Sequence, residues 1–442
     1  MFILGINAYH GGAPACLLQD GCLVAAVEDE RFRREKYWAG FPSESIRFCL
    51  KQAGITAYDL DHVAISRDPS AHLAQKVLFT LRKRPSFGAL RDRVNNMAAV
   101  RDVRTALCRS LDLEPGSLRA EFHNVEHHRD HMASAFFVSP FRDAAALSID
   151  GMGDFVSTMV GRGSGNRLEV DDHVLFPHSL GIFFTALTQW LGFPKYGDEG
   201  KVQGLAPYGM PRYMDEMHRM VRLLPRGSFE LGLDYFVHHA QGVDMTWDDG
   251  SPTIGTIFSS KLVDLLGPPR QVGGEMTPHH IDVAASMQAM LEEAEFHIVR
   301  DAFARTGQKA LCLAGGVALN SSFNGKILPQ TGFEEMYIQP AAGDAGTALG
   351  AAYYVYHQIL GQPRVFEMKH AYTGPFFRVR RSRRCSKDAG SPTGPWTRTP
   401  WRARRPASSR KGTSSDGSRA PPSEGLAPWG TGASWPTRDA RT

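Results

Sequence analysis

The sequence is poor in the features that would place a protein outside a reducing, aqueous compartment. Its six cysteines (Cys16, Cys22, Cys49, Cys108, Cys312 and Cys385) are scattered through 442 residues without a CxxC pair, too sparse for a secreted disulfide scaffold. No run of about 18 apolar residues occurs. Met1-Phe2-Ile3-Leu4-Gly5-Ile6-Asn7 has no basic stretch ahead of a long apolar one. The expectation is a cytoplasmic protein with no membrane contact. An excess of one charge is lacking too: 50 Lys/Arg against 46 Asp/Glu leave a formal +4. That balance is uneven, because residues 378–442 hold 15 Lys/Arg and 4 Asp/Glu, a local +11 that leaves −7 for residues 1–377. The main body carries no basic footprint, which argues against nucleic acid as a partner.

With 42% hydrophobic residues the chain can bury a large core, and it is too long for one ordinary domain, so two lobes are expected. Phe2 to Ala8, Ala15 to Gln19 and Cys22 to Glu28 are apolar runs parted by His10-Gly11-Gly12-Ala13-Pro14 and Asp20-Gly21, which reads as strand, turn, strand, turn, strand. Ser43 or Ser45 opens a helix to about Ala53, with Ile46, Cys49, Leu50 and Ala53 on one face, and His62 to Ser66 reads as the next strand.

A comparable order restarts near residue 143: Ala144 to Ile149, the turn Asp150-Gly151-Met152-Gly153-Asp154, Phe155 to Val160, then Leu168 to Val170. One unit is used twice. Thr277-Pro278 starts a long helix with Ile281, Ala284, Leu291, Ala294, Ile298 and Ala302 along one stripe. Leu311 to Ala314 is a strand ended by Gly315-Gly316, and Gly343-Asp344-Ala345-Gly346 leads into an Ala/Gly-rich helix from Thr347 to about Ile359.

After Phe377 the residues cannot build a core: only Val379 and Leu426 are sizeable aliphatics, while Trp396, Trp401, Trp429 and Trp435 stand among Arg, Pro, Ser, Gly and Ala. That mixture is expected from GC-rich DNA read out of frame, or else from an ordinary disordered tail.

His127-His128-Arg129-Asp130-His131 places His127 and His131 one helical turn apart on one face, a spacing that suits a divalent cation and equally suits two satisfied histidines at a helix start. Asp344 is a candidate hard ligand or a plain helix cap. In the turn Gly151-Met152-Gly153-Asp154, backbone N–H groups can cradle a phosphate, with Asp150 available to a metal or a nucleophile. Gly315-Gly316-Val317-Ala318-Leu319-Asn320 repeats the arrangement, with Asn320 offering hydrogen bonds, although glycine pairs also serve as simple turns. Lys201 is a phosphate contact or a surface residue.

Taken in order, Asn7-Ala8-Tyr9-His10-Gly11, Val27-Glu28-Asp29-Glu30-Arg31-Phe32, Trp38-Ala39-Gly40-Phe41-Pro42, His127 to Ala135, Asp150 to Asp154, Gly200 to Gly209, Gly315 to Asn320 and Gly343 to Gly346 resemble the O-carbamoyltransferases of nodulation and antibiotic tailoring, over about residues 2–377. The resemblance implies an α/β fold of duplicated actin/sugar-kinase/Hsp70-like lobes with mixed five-stranded sheets, related to threonylcarbamoyl transferase domains. It implies an iron or zinc-like metal on His127, His131 and Asp344 at the mouth of the cleft between the lobes. A nucleotide cleft would be lined by Asp150, Gly151, Gly153, Lys201, Gly315, Gly316 and Asn320, with His10 as general base beside the carbamoyl group. The donor would be carbamoyl-adenylate, made from carbamoyl phosphate and ATP in a C-terminal domain, and the acceptor a hydroxyl of a small molecule or oligosaccharide. The chain departs from the family pattern after about Phe377, where residues 378–442 stand in place of that domain. It also departs at Gly12-Ala13-Pro14, where relatives usually carry an acidic or hydroxyl residue after His-Gly. A tRNA threonylcarbamoyl transferase and a non-catalytic nucleotide-binding remnant are the competing expectations. Sequencing the coding DNA is expected to reveal a one-base correction near codon 377 that opens a long new frame; an intact locus would sink that account of the tail.

Overall fold

Five short strands, four of them largely buried, form the first sheet of this computed structural model, which describes residues 1–83, 103–114, 116–242, 245–246 and 250–376. They are β1 (Phe2–Ile6), β2 (Pro14–Gln19), β3 (Cys22–Glu28), β4 (His62–Ile65) and β5 (Glu121–Asn124). A second sheet contains β6 (Asp143–Gly153), β7 (Val156–Ser164), β8 (Arg167–Leu175), β13 (Ala310–Ala314) and β14 (Glu335–Ile338). Two small hairpins lie between β8 and β13 in sequence, β9 (Val221–Leu224) with β10 (Ser228–Leu231) and β11 (Met245–Thr246) with β12 (Thr253–Ile254).

The two sheets share one topology. The first runs β3-β2-β1-β4-β5 and the second β8-β7-β6-β13-β14. In each, a three-stranded antiparallel meander is extended by two strands parallel to its first member. The parallel additions need crossovers, and helices supply them. This repeated mixed sheet agrees with the duplicated lobes with mixed five-stranded sheets that the resemblance implies.

The sequence explains the central strands: β13 is Ala-Leu-Cys-Leu-Ala, buried throughout, as a strand covered on both faces requires. The polar edge strand β5, Glu-Phe-His-Asn, has no such signature. The long helix is Pro278–Thr306, capped by Thr277 and ended by Gly307 with φ 63°. It buries more than a stripe, since Val283, Ala285 and Met287 are covered along with Ala284, Leu291, Ala294, Ile298 and Ala302. The helix Thr347–Tyr353 continues as a π-helical stretch, Tyr354–Ile359. Residues 378–442, and with them the expectation of an out-of-frame tail, lie outside the described residues. Among the described residues no helix is long and apolar enough to cross a membrane.

Three apolar clusters hold the body, which runs from Met1 to Gly374. One gathers Leu4, Ile6, Leu50 and Val63 of the first lobe, and another gathers Leu147, Trp190, Met287 and Leu313 of the second. The third joins residues of both sheets, Ile3 and Ala146 among them, to Phe136 and Tyr353 of the helices His127–Phe136 and Thr347–Tyr353. Those two helices touch backbone to backbone: a Cβ at Gly350 would lie 1.8 Å from the carbonyl oxygen of Asp130. Gly350→Ala is therefore expected to force them apart and cost about 1–3 kcal/mol, read as a lower urea midpoint; an unchanged midpoint would show that the contact is not tight.

Candidate functional site

The helix His127–Phe136 is aimed by its N-terminus. Glu126 accepts hydrogen bonds from the backbone N–H groups of His128 (3.1 Å) and Arg129 (2.9 Å), satisfying two donors a helix start leaves open. Asp154 accepts from His127 N at 3.0 Å and from Asp68 N at 2.8 Å. The three histidines then part company. His128 Nε2 donates to the carbonyl of Val156 at 2.9 Å, so its Nδ1 accepts from Ser148 Oγ at 2.8 Å, and burial holds its pKa well below the usual imidazole range. It is a packing residue. His127 and His131 point the other way, with their Nε2 atoms 3.0 Å apart.

Two carboxylates meet that pair from the second sheet. Asp150 Oδ2 lies 3.3 Å from His127 Nε2 and 3.7 Å from His131 Nε2; Asp344 Oδ1 lies 3.4 and 3.6 Å from the same two atoms. Burial alone would lower the His131 imidazole, but hydrogen bonds and charge from Asp150 and Asp344 outweigh it and push the pKa up to about 9. Against the same burial, the imidazoles hold Asp150 well below the usual carboxylate range, and His10 chiefly does so for Asp344.

Four donor atoms within 4.8 Å of one another, two imidazole nitrogens and two carboxylate oxygens, fit a divalent metal. A tetrahedron with bonds of about 2.0–2.1 Å has edges of about 3.3–3.4 Å, and these contacts bracket that value. The cluster is buried, with side-chain exposures between 0% and 10%. The β1–β2 loop reaches it through His10.

His10, on that loop, sits with Nδ1 2.7 Å from Asp344 Oδ2, the oxygen that also accepts from Tyr196 Oη at 3.3 Å. Its ring centroid is 5.7 Å from that of His127. Burial and the facing Asp344 push the Tyr196 phenol well above its ordinary range, so it stays a donor. Asn7 donates to the backbone oxygen of Asp344 at 3.2 Å and to Thr347 Oγ1 at 2.8 Å.

The remaining residues from the sequence divide into two groups. Gly315 and Gly316 join the cluster, since Gly316 N–H donates to Asp150 Oδ1 at 2.6 Å and Gly315 has φ +99°, with a Cβ there only 2.1 Å from the carbonyl oxygen of Ile149. Gly153 makes room for the His127 ring, which a Cβ would meet at 2.0 Å, while the space beside Gly151 is open. Asn320 is committed elsewhere: its side chain caps Phe323 N at 3.3 Å and shares hydrogen bonds with Gln288 and Gln203. Lys201 is 58% exposed and pairs with Asp198 at 2.6 Å. Sequence reasoning missed Tyr196 and Glu126, which stand in no recognisable spacing, and left Asp150 open between phosphate loop and metal.

The family described as carbamoyltransferase N-terminus matches residues 2–353. The chain belongs to the carbamoyltransferase family. An uncharacterised Synechocystis protein, sll1178, is 38% identical over 85% of this chain and 61% of its own length. The nodulation protein NolNO of Sinorhizobium fredii is 35% identical over 83% of this chain and 49% of its own. The chain thus spans about half to three fifths of these relatives. Among solved structures, HypF of T. kodakarensis aligns over 82% of this chain and 48% of that one, at 14% identity and a TM-score of 0.40.

Removing one imidazole should empty the site. His131→Ala is expected to lower bound metal by about one equivalent relative to the wild type, measured by plasma emission after metal-replete purification; unchanged stoichiometry would refute the ligand assignment.

Proposed function

We propose that this carbamoyltransferase chain passes a carbamoyl group from carbamoyl-adenylate to a hydroxyl of a small-molecule or glycan acceptor, in the cytoplasm. The observation that carries the reading is His10 Nδ1 standing 2.7 Å from the carboxylate of Asp344, a residue that also faces the metal cluster. With its Nδ1 proton directed at Asp344, the neutral ring of His10 has its lone pair on Nε2. That nitrogen takes the proton of the acceptor hydroxyl as its oxygen attacks the carbamoyl carbonyl carbon; the bond from that carbon to the phosphate oxygen then breaks, and AMP leaves with the electron pair. Asp344 keeps the ring in one tautomer and stabilises the imidazolium that forms. A divalent metal bound to His127, His131, Asp150 and Asp344 would supply positive charge for the phosphate oxygens of the adenylate.

The turn at Gly151 and the loop at Gly315–Gly316 lie beside Asp150 and are the proposed walls for the nucleotide. Lys201 and Asn320 are weaker candidates because Asp198 and Gln288 already engage them. On this reading, formation of the donor from ATP and carbamoyl phosphate belongs to the further length of the longer relatives.

The test supplies synthetic carbamoyl-adenylate and a panel of amino-glycoside and lipo-oligosaccharide acceptors to the metal-replete protein. Acceptor-dependent AMP release with a carbamate on the acceptor is expected. His10→Gln should lower kcat by roughly 10²–10⁴-fold while leaving metal content unchanged. No acceptor-dependent AMP release, or an unimpaired His10→Gln, would overturn the proposal.

A further inference from the structure

A second group of metal-type donors lies on the first sheet. Strands β4 and β5 run parallel, with His62 opposite Glu121 and Ala64 opposite His123. Paired residues in a parallel ladder share a face, and so do residues two apart on one strand, so His62, Glu121 and His123 all project from one face of the sheet. His62 Nδ1 and His123 Nε2 are 3.1 Å apart. Glu121 Oε2 lies 3.7 Å from the first and 3.9 Å from the second. Side-chain exposures are 14% for His62, 10% for His123 and 69% for Glu121, so two imidazoles are held in place and the carboxylate closes over them from the solvent side.

The chemistry favours a cation at their centre. Two imidazole nitrogens that face each other 3.1 Å apart can share only one proton, whereas a cation about 2.0–2.1 Å from each donor engages both nitrogens and the carboxylate at once. Two nitrogens and one oxygen suit zinc or a neighbouring first-row ion, and are a poor set for magnesium or calcium, which take oxygen ligands. One coordination position remains for water.

We propose that His62, Glu121 and His123 form a second zinc-type site, separate from the buried cluster, that pins the edge strand β5 to β4. Its position gives it a structural consequence. His123 is one residue from the end of β5, and the helix carrying His127 and His131 starts directly beyond Glu126. A cation at this site steadies the strand that delivers that helix. The proposal does not depend on the transfer reaction.

The experiment uses the full chain with His127→Ala and His131→Ala together, which silences the buried cluster, and Co²⁺ as the probe. One Co²⁺ with the visible absorption of a low-coordinate N/O site is expected to bind. Glu121→Gln in that background should weaken binding at least about tenfold, and His123→Ala at least about a hundredfold. A folded background variant that binds no Co²⁺, or binds it equally after both changes, would overturn the site. If that background does not fold, Zn²⁺ stoichiometry of the wild type against His62→Ala decides: a fall from two equivalents to one supports the site, and no fall refutes it.

Discussion

The carboxylate of Asp344 is shared among more partners than any other side chain at the centre of this protein. One oxygen faces His127 and His131, the other faces His10 and Tyr196, and the backbone carbonyl of the same residue is held by Asn7. Burying one carboxylate is costly unless charge and hydrogen bonds replace its water, and here Asp150 is buried beside it. The imidazoles are what make two such groups tolerable, and a divalent cation would fill the same electrostatic role more completely. The rest of the fold is the scaffolding that brings Asn7, His10, His127, His131, Asp150 and Tyr196 to this one carboxylate-bearing residue.

That scaffolding follows from the duplicated sheet. In an open α/β sheet, functional groups collect beyond the carboxyl ends of strands. His10 follows β1, His127 follows β5, Asp150 ends the regular part of β6, Gly315 follows β13 and Asp344 follows β14. Two copies of one topology therefore present equivalent strand ends to each other. Small residues then let the helices between them approach, Gly350 against Asp130 being the tightest case. Close packing of this kind holds ligand atoms to within a few tenths of an ångström more firmly than loops could.

Much of this was legible in the sequence, and the limits are physical. The meanders β1–β3 and β6–β8 show because apolar runs alternate with glycine-rich turns, and the spacing of His127 and His131 shows because it is set within one helical turn. Strand β5 did not show, since an edge strand of Glu-Phe-His-Asn satisfies no hydrophobic pattern. The role of His128 was equally hidden: its partners Ser148 and Val156 are brought by another strand pair. Asp150 could be placed at a strand end, but only the folded chain shows its two oxygens divided between the imidazoles and the Gly316 amide. The resemblance to carbamoyltransferases filled part of this gap for Asp344, which stands 337 residues beyond the Asn7 that holds it. No local rule spans that distance.

The way the two aspartates are anchored bears on how the lobes can move. Asp150 is tied to Gly316, within the second lobe, whereas Asp344 is tied to Asn7 and His10, across to the first. A rigid rotation of one lobe against the other would leave the first tie intact and stretch the second. A rotation that preserved both ties would need its axis close to Asp344, where the two lobes are joined most tightly.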